Sequence, residues 1–82
     1  MKKFNGISKD KTVAKYEIHG GKGSYTIEEF RYHNHGYTLG QSYWQNEHNP
    51  AFYNKTWKTL QGAINALTKI VYQDGYELQA AS

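Results

Sequence analysis

The chain has 82 residues, a net charge of +3 and no cysteine. That length supports one domain with a small core, and the missing thiols exclude disulfides, thiolate metal sites and a cysteine nucleophile. Aromatic residues make up 16% of the chain, and each buried ring removes roughly 150–250 Å² from water, which partly compensates for the small size. The opening Met1-Lys2-Lys3-Phe4-Asn5-Gly6-Ile7 lacks the apolar run of a signal peptide. No stretch approaches the ~18 apolar residues of a membrane span. The expectation is a soluble, cytoplasmic protein with no membrane partner.

In chain order, residues 3–8 read as a short strand and Ser8-Lys9-Asp10-Lys11 as a polar turn. Thr12 to His19 alternates, with Ala14, Tyr16 and Ile18 on one side and Val13, Lys15 and Glu17 on the other. Gly20-Gly21-Lys22-Gly23 is a flexible connection. Ser24 to Tyr32 reads as a strand, His33-Asn34-His35-Gly36 as a turn and Tyr37 to Gln45 as the next strand. Asn46 to Pro50 reads as a loop and Ala51 to Trp57 as a further strand. The period then changes. Leu60, Ala63, Ile64, Leu67, Ile70 and Val71 recur at helical spacing, behind Thr59 as N-cap and ahead of Gly75 as terminator. Gly62, inside the first turn, suggests close approach of the helix to the sheet. Residues 76–80 allow a last short strand.

These elements give an α+β fold: a small antiparallel, meander-like sheet of four to five strands with one α-helix packed across one face. The chain reads as a single domain over 1–82. Its parts are a lysine-rich N-terminal hairpin (1–23), an aromatic three-stranded meander (24–57), the helix (59–72) and the short strand (76–80).

Nine of the thirteen aromatic residues lie between Tyr25 and Trp57. If residues 33–36 and 46–50 close two hairpins, Phe30, Tyr32, Tyr37, Leu39, Tyr43, Tyr53 and Trp57 share one side. Trp57 immediately precedes the helix, so that side is the one expected to be covered. The other side then carries Tyr25, Ile27, Trp44 and Phe52, with Arg31, Ser42, Asn54 and Thr56 around them. Uncovered rings on a sheet suit a protein partner or the bases of single-stranded nucleic acid. The N-terminal hairpin or a second copy, in a homodimer, is the alternative cover.

Charge is unevenly placed. Residues 1–23 hold six lysines against Asp10 and Glu17, a net +4, and the remainder carries −1. A basic end suits an acidic protein surface or phosphates. Arg31 is the only arginine, which counts against a dedicated reader of base sequence, since such readers rely on arginine's bidentate fork. His33, His35 and His48 could share a metal, but spacing alone is a weak signal, and a solvated hairpin tip is the plainer reading. Gly20-Gly21-Lys22-Gly23 departs from P-loop spacing and is followed by a strand, so a hairpin connector fits better than a phosphate cradle.

The expected function is therefore non-enzymatic binding, with neither cofactor nor metal. Trp44 centres the partner-binding set, with Tyr25, Phe52 and Arg31 around it and Lys9, Lys11 and Lys22 aiding association. The leading reading is a small accessory or inhibitor protein, of phage or mobile-element type and anti-CRISPR-like, docking on a larger protein or nucleoprotein. The second is sequence-independent binding of single-stranded nucleic acid. The third is a small metal-independent ribonuclease using His33 or His35 with Lys22 or Arg31.

Overall fold

A computed structural model describes residues 1–35 and 41–81, with the side chains of residues 34, 35, 41 and 42 outside that description. The strands are β1 (Lys2–Ser8), β2 (Lys11–Gly21), β3 (Ser24–His35), β4 (Gln41–Asn46) and, after helix α1 (Leu60–Gln73), β5 (Glu77–Ala81). They form one antiparallel sheet in the order β4-β3-β2-β1-β5. β1 to β4 make a meander, as expected. The chain then crosses the sheet through α1 and pairs β5 with the free edge of β1. The fold is α+β, with one helix among the described residues packed on the sheet.

Both N-terminal hairpins are tight. Ser8 pairs with Lys11 and Gly21 with Ser24, so each loop has two residues. Lys9 (φ 50°), Asp10 (φ 64°), Lys22 (φ 51°) and Gly23 (φ 85°) are all left-handed. This is the turn geometry whose twist matches that of the flanking strands. Gly20 and Gly21 lie within β2 rather than in a flexible connector. At Gly20 (φ 125°), an added Cβ would stand 2.1 Å from the Ser24 carbonyl oxygen, so only glycine fits.

The core lies between the sheet and α1, on what is here called the inner face. Ala14, Tyr16 and Ile18 of β2, Ile27 of β3, Phe52, and Ala63, Leu67 and Val71 of α1 are buried. The helical positions recur at four-residue intervals, one stripe of the amphipathic pattern. Leu60 and Ile64 are half-buried on the flank of that stripe. Thr59 caps the helix by accepting from the Gly62 N–H at 2.9 Å, and Gly75 (φ 84°) closes it, donating to the Tyr72 carbonyl at 3.0 Å. A Cβ on Gly62 would meet Thr59 Oγ1 at 2.9 Å and no sheet atom within 4 Å, so this glycine serves the cap rather than helix–sheet approach.

Several expectations are corrected. Residues 51–57 are not a strand. Asn49 starts a turn there: its carbonyl accepts from Phe52 and Tyr53 (2.9 and 2.7 Å), and its side chain accepts from the Ala51 N–H (2.9 Å). Asn-Pro is a turn-forming pair for this reason. Only Trp57 rejoins the sheet, exchanging two main-chain bonds with Tyr25. His33 to His35 belong to β3 rather than to a turn, and Tyr32 pairs with Trp44. Phe30 pairs with Asn46, so the expected hairpin over 33–36 does not form; Tyr37 and Leu39, placed on its far strand, lie outside the described residues.

The assignment of β3 to faces is also reversed. Tyr25, Ile27, Glu29 and Arg31 point inward, while Phe30 and Tyr32 point away from the helix. The reason is a polar network on the inner face. Glu29, only 5% exposed, accepts from Arg31 Nε at 3.2 Å and from Asn49 Nδ2 at 3.0 Å. Arg31 also reaches Asp74 at 3.8 Å and places its guanidinium 5.3 Å from the centre of the Tyr76 ring. Burial works against the Arg31 charge, but hydrogen bonds to Tyr76 and Glu29 outweigh it and raise its pKa above the ordinary value. A buried carboxylate is tolerated when it is paired and hydrogen-bonded in this way.

Tyr16, fully buried against Phe52 with the ring centres 6.2 Å apart, has a hydroxyl with no hydrogen-bond partner among the described residues. Burial, with the nearby Glu29 charge second, pushes its pKa above the ordinary tyrosine value.

Two predictions follow from this packing. Leu67→Ala is expected to cost roughly 2–5 kcal/mol in urea denaturation, as loss of a packed leucine does; an unchanged midpoint would show that the helix is not seated on the sheet as described. Tyr16→Phe is expected to be neutral or stabilising near pH 7, because it removes an unpaired polar group. The raised pKa means the unfolded chain ionises first. Stability should therefore hold below about pH 10, the unfolded tyrosine value, and fall as pH rises above it. Tyr16→Phe should flatten that alkaline decline, and an equal decline in both proteins would exclude Tyr16 as its source.

Candidate functional site

Alternation along β2, β3 and β4 sets the chemistry of the outer face, the side opposite the helix. Lys15 pairs with Phe30, Glu17 with Glu28 and His19 with Thr26 across β2 and β3. Tyr32 pairs with Trp44 and Phe30 with Asn46 across β3 and β4. Phe30, Tyr32 and Trp44 therefore share the outer face, with Lys15 beside them. The Tyr32 and Trp44 rings meet edge to face, 5.5 Å apart at 60°. Lys15 Nζ lies 4.5 Å from the centre of the Trp44 ring, within cation–π range. Tyr32 is 54% exposed and Trp44 and Phe30 are half-buried. None of these three rings belongs to the core.

The second feature of this face lies further along β3. Glu17 and His19, two residues apart on β2, and Glu28, directly opposite Glu17 on β3, bring one ligand atom each to within 4.8 Å of one another. His19 Nε2 and Glu17 Oε1 are 2.9 Å apart, and Asn46 Nδ2 donates to Glu28 Oε2 at 3.3 Å. Phe30, on the same face as Glu28, lies between this acidic end and the Tyr32–Trp44 pair.

The expected partner-binding residues divide. Trp44 is on the outer face as expected. Tyr25 and Phe52 are not beside it: Tyr25 packs against the core and Phe52 is buried within it. Arg31 is engaged by Glu29 and Asp74 on the inner face. Lys9 and Lys11 flank the β1–β2 turn, whereas Lys22 sits in the β2–β3 turn at the opposite end of the 11-residue β2. At about 3.3 Å per residue these two groups stand roughly 35 Å apart and form no common patch. The N-terminal hairpin does not fold over the aromatics; it supplies two strands of the sheet.

Of the residues proposed for a ribonuclease, Arg31 lies two residues from His33 on β3 but is engaged by Glu29 and Asp74, and Lys22 is remote. His33 pairs with Glu47 near the far end of β3, about 30 Å from Lys22 at 3.3 Å per residue. His48 lies against Tyr53, with ring centres 5.1 Å apart, and the His35 side chain is outside the described residues. The described histidines of the former metal candidate therefore have separate neighbours. The triad of Glu17, His19 and Glu28 was missed in sequence. Its signal is an i, i+2 Glu-x-His pair on a strand followed by an acidic pair on the next.

Among the described residues no helix is long and apolar enough to cross a membrane. No protein-family model, curated protein or solved structure matches the chain.

Replacing Lys9, Lys11 and Lys22 with glutamine should leave stability within about 0.5 kcal/mol, because all three are exposed and lie in or beside turns. A larger loss by thermal denaturation would mean that these lysines hold the hairpins rather than serving a surface role.

Proposed function

We propose that this chain is a non-enzymatic binding protein, of the accessory or inhibitor kind, that docks on a larger protein or nucleoprotein through the outer face around Trp44. One observation carries the reading: the Tyr32–Trp44 pair stands partly exposed on the sheet face that the helix leaves uncovered. Trp44, on the edge strand β4, can be desolvated by a partner, and truncation of such an aromatic anchor can cost about 2 kcal/mol or more in binding.

A protein contact is favoured over nucleic-acid stacking on two grounds. Lys15 lies over the Trp44 ring, so that face of the indole is not free to take a base. Glu17 and Glu28 occupy the same side of the sheet and would repel a phosphate backbone running across it.

Immobilised wild-type protein and Trp44→Ala should be compared on extract from the native host, with half of each sample treated with nuclease. The expected result is a protein retained by the wild type, resistant to nuclease and to 500 mM salt (roughly the range in which phosphate contacts weaken steeply), and lost with Trp44→Ala while circular dichroism stays native. His33→Ala with His35→Ala should retain the partner, since His33 alternates with Tyr32 and lies off the outer face. Capture that vanishes with nuclease would support the nucleic-acid reading instead. Equal capture by Trp44→Ala would overturn the assignment of this face.

A further inference from the structure

The acidic end of the outer face has a geometry of its own. Glu17 and Glu28 occupy directly opposed positions of an antiparallel pair, where Cβ atoms stand about 4.5–5.5 Å apart and like charges are destabilising. His19 follows Glu17 by two residues and shares its face. Two ligands at i and i+2 of one strand, with a third on the neighbouring strand, make a three-point cradle that the rigid sheet itself holds in place. The three ligand atoms already lie within 4.8 Å of one another. Around a tetrahedral ion with bonds of 2.0–2.2 Å they would need to be about 3.4 Å apart, a closure of little more than 1 Å by side-chain rotation. All three residues are half-buried, neither loose in solvent nor sealed from it. Asn46 Nδ2 donates to Glu28 Oε2 at 3.3 Å, which leaves the other carboxylate oxygen available as a ligand.

We propose that Glu17, His19 and Glu28 form a binding site for a first-row divalent cation of the zinc class. Two carboxylates balance the ion's charge. The imidazole nitrogen selects against magnesium and calcium, which prefer all-oxygen sets. Three protein ligands leave a fourth position of a tetrahedral ion open to water. His19 Nε2 and Glu17 Oε1 now share a hydrogen bond; the cation takes its place, and any proton held between them passes to solvent. Lys3, opposite Glu17 on β1, is the nearby cation by register that would compete for the same carboxylate.

The test is calorimetric titration of the full chain, purified without a histidine tag and stripped with chelator, against zinc chloride. One saturable equivalent is expected. His19→Ala should abolish it, and Glu28→Gln, which keeps the shape of the side chain, should weaken it by at least about tenfold. His33→Ala and His48→Ala should leave it unchanged. Magnesium and calcium chlorides should give no comparable binding. Wild-type affinity in both His19→Ala and Glu28→Gln would overturn the site, as would loss of binding on replacing His33 or His48. Calcium bound as tightly as zinc would overturn the role of the imidazole. Circular dichroism of each variant separates loss of the ligand from loss of the fold, and Glu28→Gln keeps the test decisive if His19→Ala does not fold.

Discussion

The buried carboxylate of Glu29 constrains more of this molecule than any apolar contact. A carboxylate removed from water without partners is strongly unfavourable, and at 5% exposure Glu29 is hydrogen-bonded by Arg31 and Asn49. Each partner organises a different part of the chain. Asn49 holds the turn that drives Phe52 into the core against Tyr16. Arg31 reaches Asp74 and Tyr76, just past the end of α1, and so ties the helix terminus to β3. Replacing such a network with apolar residues can be neutral or even stabilising, whereas removing one member leaves a charge stranded. Its value here lies in fixing which way β3 faces.

That orientation creates the exposed aromatic surface. Side chains alternate along a strand, so placing Glu29 and Arg31 inward compels Phe30 and Tyr32 outward. The expected hairpins at 33–36 and 46–50 turn β3 the other way, because they set Phe30 and Tyr32 on the side of Trp57, next to the helix, whereas residues 51–54 form a turn and Trp57 pairs with Tyr25. The turn at Lys9-Asp10, the helix from its Thr59 cap to Gly75, and the shared side of Ala14, Tyr16 and Ile18 were legible, because local chemistry and period decide them; the tight turn at Lys22-Gly23 was hidden behind Gly20 and Gly21, which belong to β2. The face of β3 was not legible, because a long-range contact from Asn49 decides it. The position of Trp44 emerged correctly through two errors that cancel. A hairpin closed over 33–36 differs in register from the observed Tyr32–Trp44 pairing by an odd number of residues, which inverts the face, and the face of β3 was itself inverted. Residues 51–57 were misread because β-prone aromatics there outweighed the turn chemistry of Asn49-Pro50. The triad of Glu17, His19 and Glu28 needed the β2–β3 register, which the tight turn at Lys22-Gly23 supplies.

The outer face therefore has two chemically distinct ends. Around Tyr32 and Trp44 it is aromatic, with a lysine over the indole; around Glu17 and Glu28 it is acidic, with an imidazole between strands. Lys3 and Lys15 share that face with Glu17, Glu28 and, by register on β5, Glu77, so the formal net charge of +3 is not expressed there. Part of the basic charge lies at the two hairpin ends, at Lys9 and Lys11 on one side, with Asp10 between them, and at Lys22 on the other. A long polyanion would meet positive charge at the tips and carboxylates between them, whereas a protein surface can match such a pattern patch by patch.

The two ends are also separable energetically. Glu28 and Tyr32 lie four residues apart on β3, about 13 Å at 3.3 Å per residue. The Debye length at physiological ionic strength is about 8 Å, so the charge of a bound cation is largely screened before it reaches the aromatic pair. Phe30 fills the interval on β3, flanked by Lys15, which lies over Trp44, and by Asn46, which holds Glu28; these two side chains are the polar contacts by which either end could sense the other. With the charge screened over this distance, docking at Trp44 and cation binding at His19 should couple only weakly, with Trp44→Ala leaving the zinc titration intact and His19→Ala leaving partner capture intact. Strong reciprocal coupling would require the partner itself to span both ends. In that case the open coordination position beside Glu28 would be the natural place for one of its side chains to reach the metal.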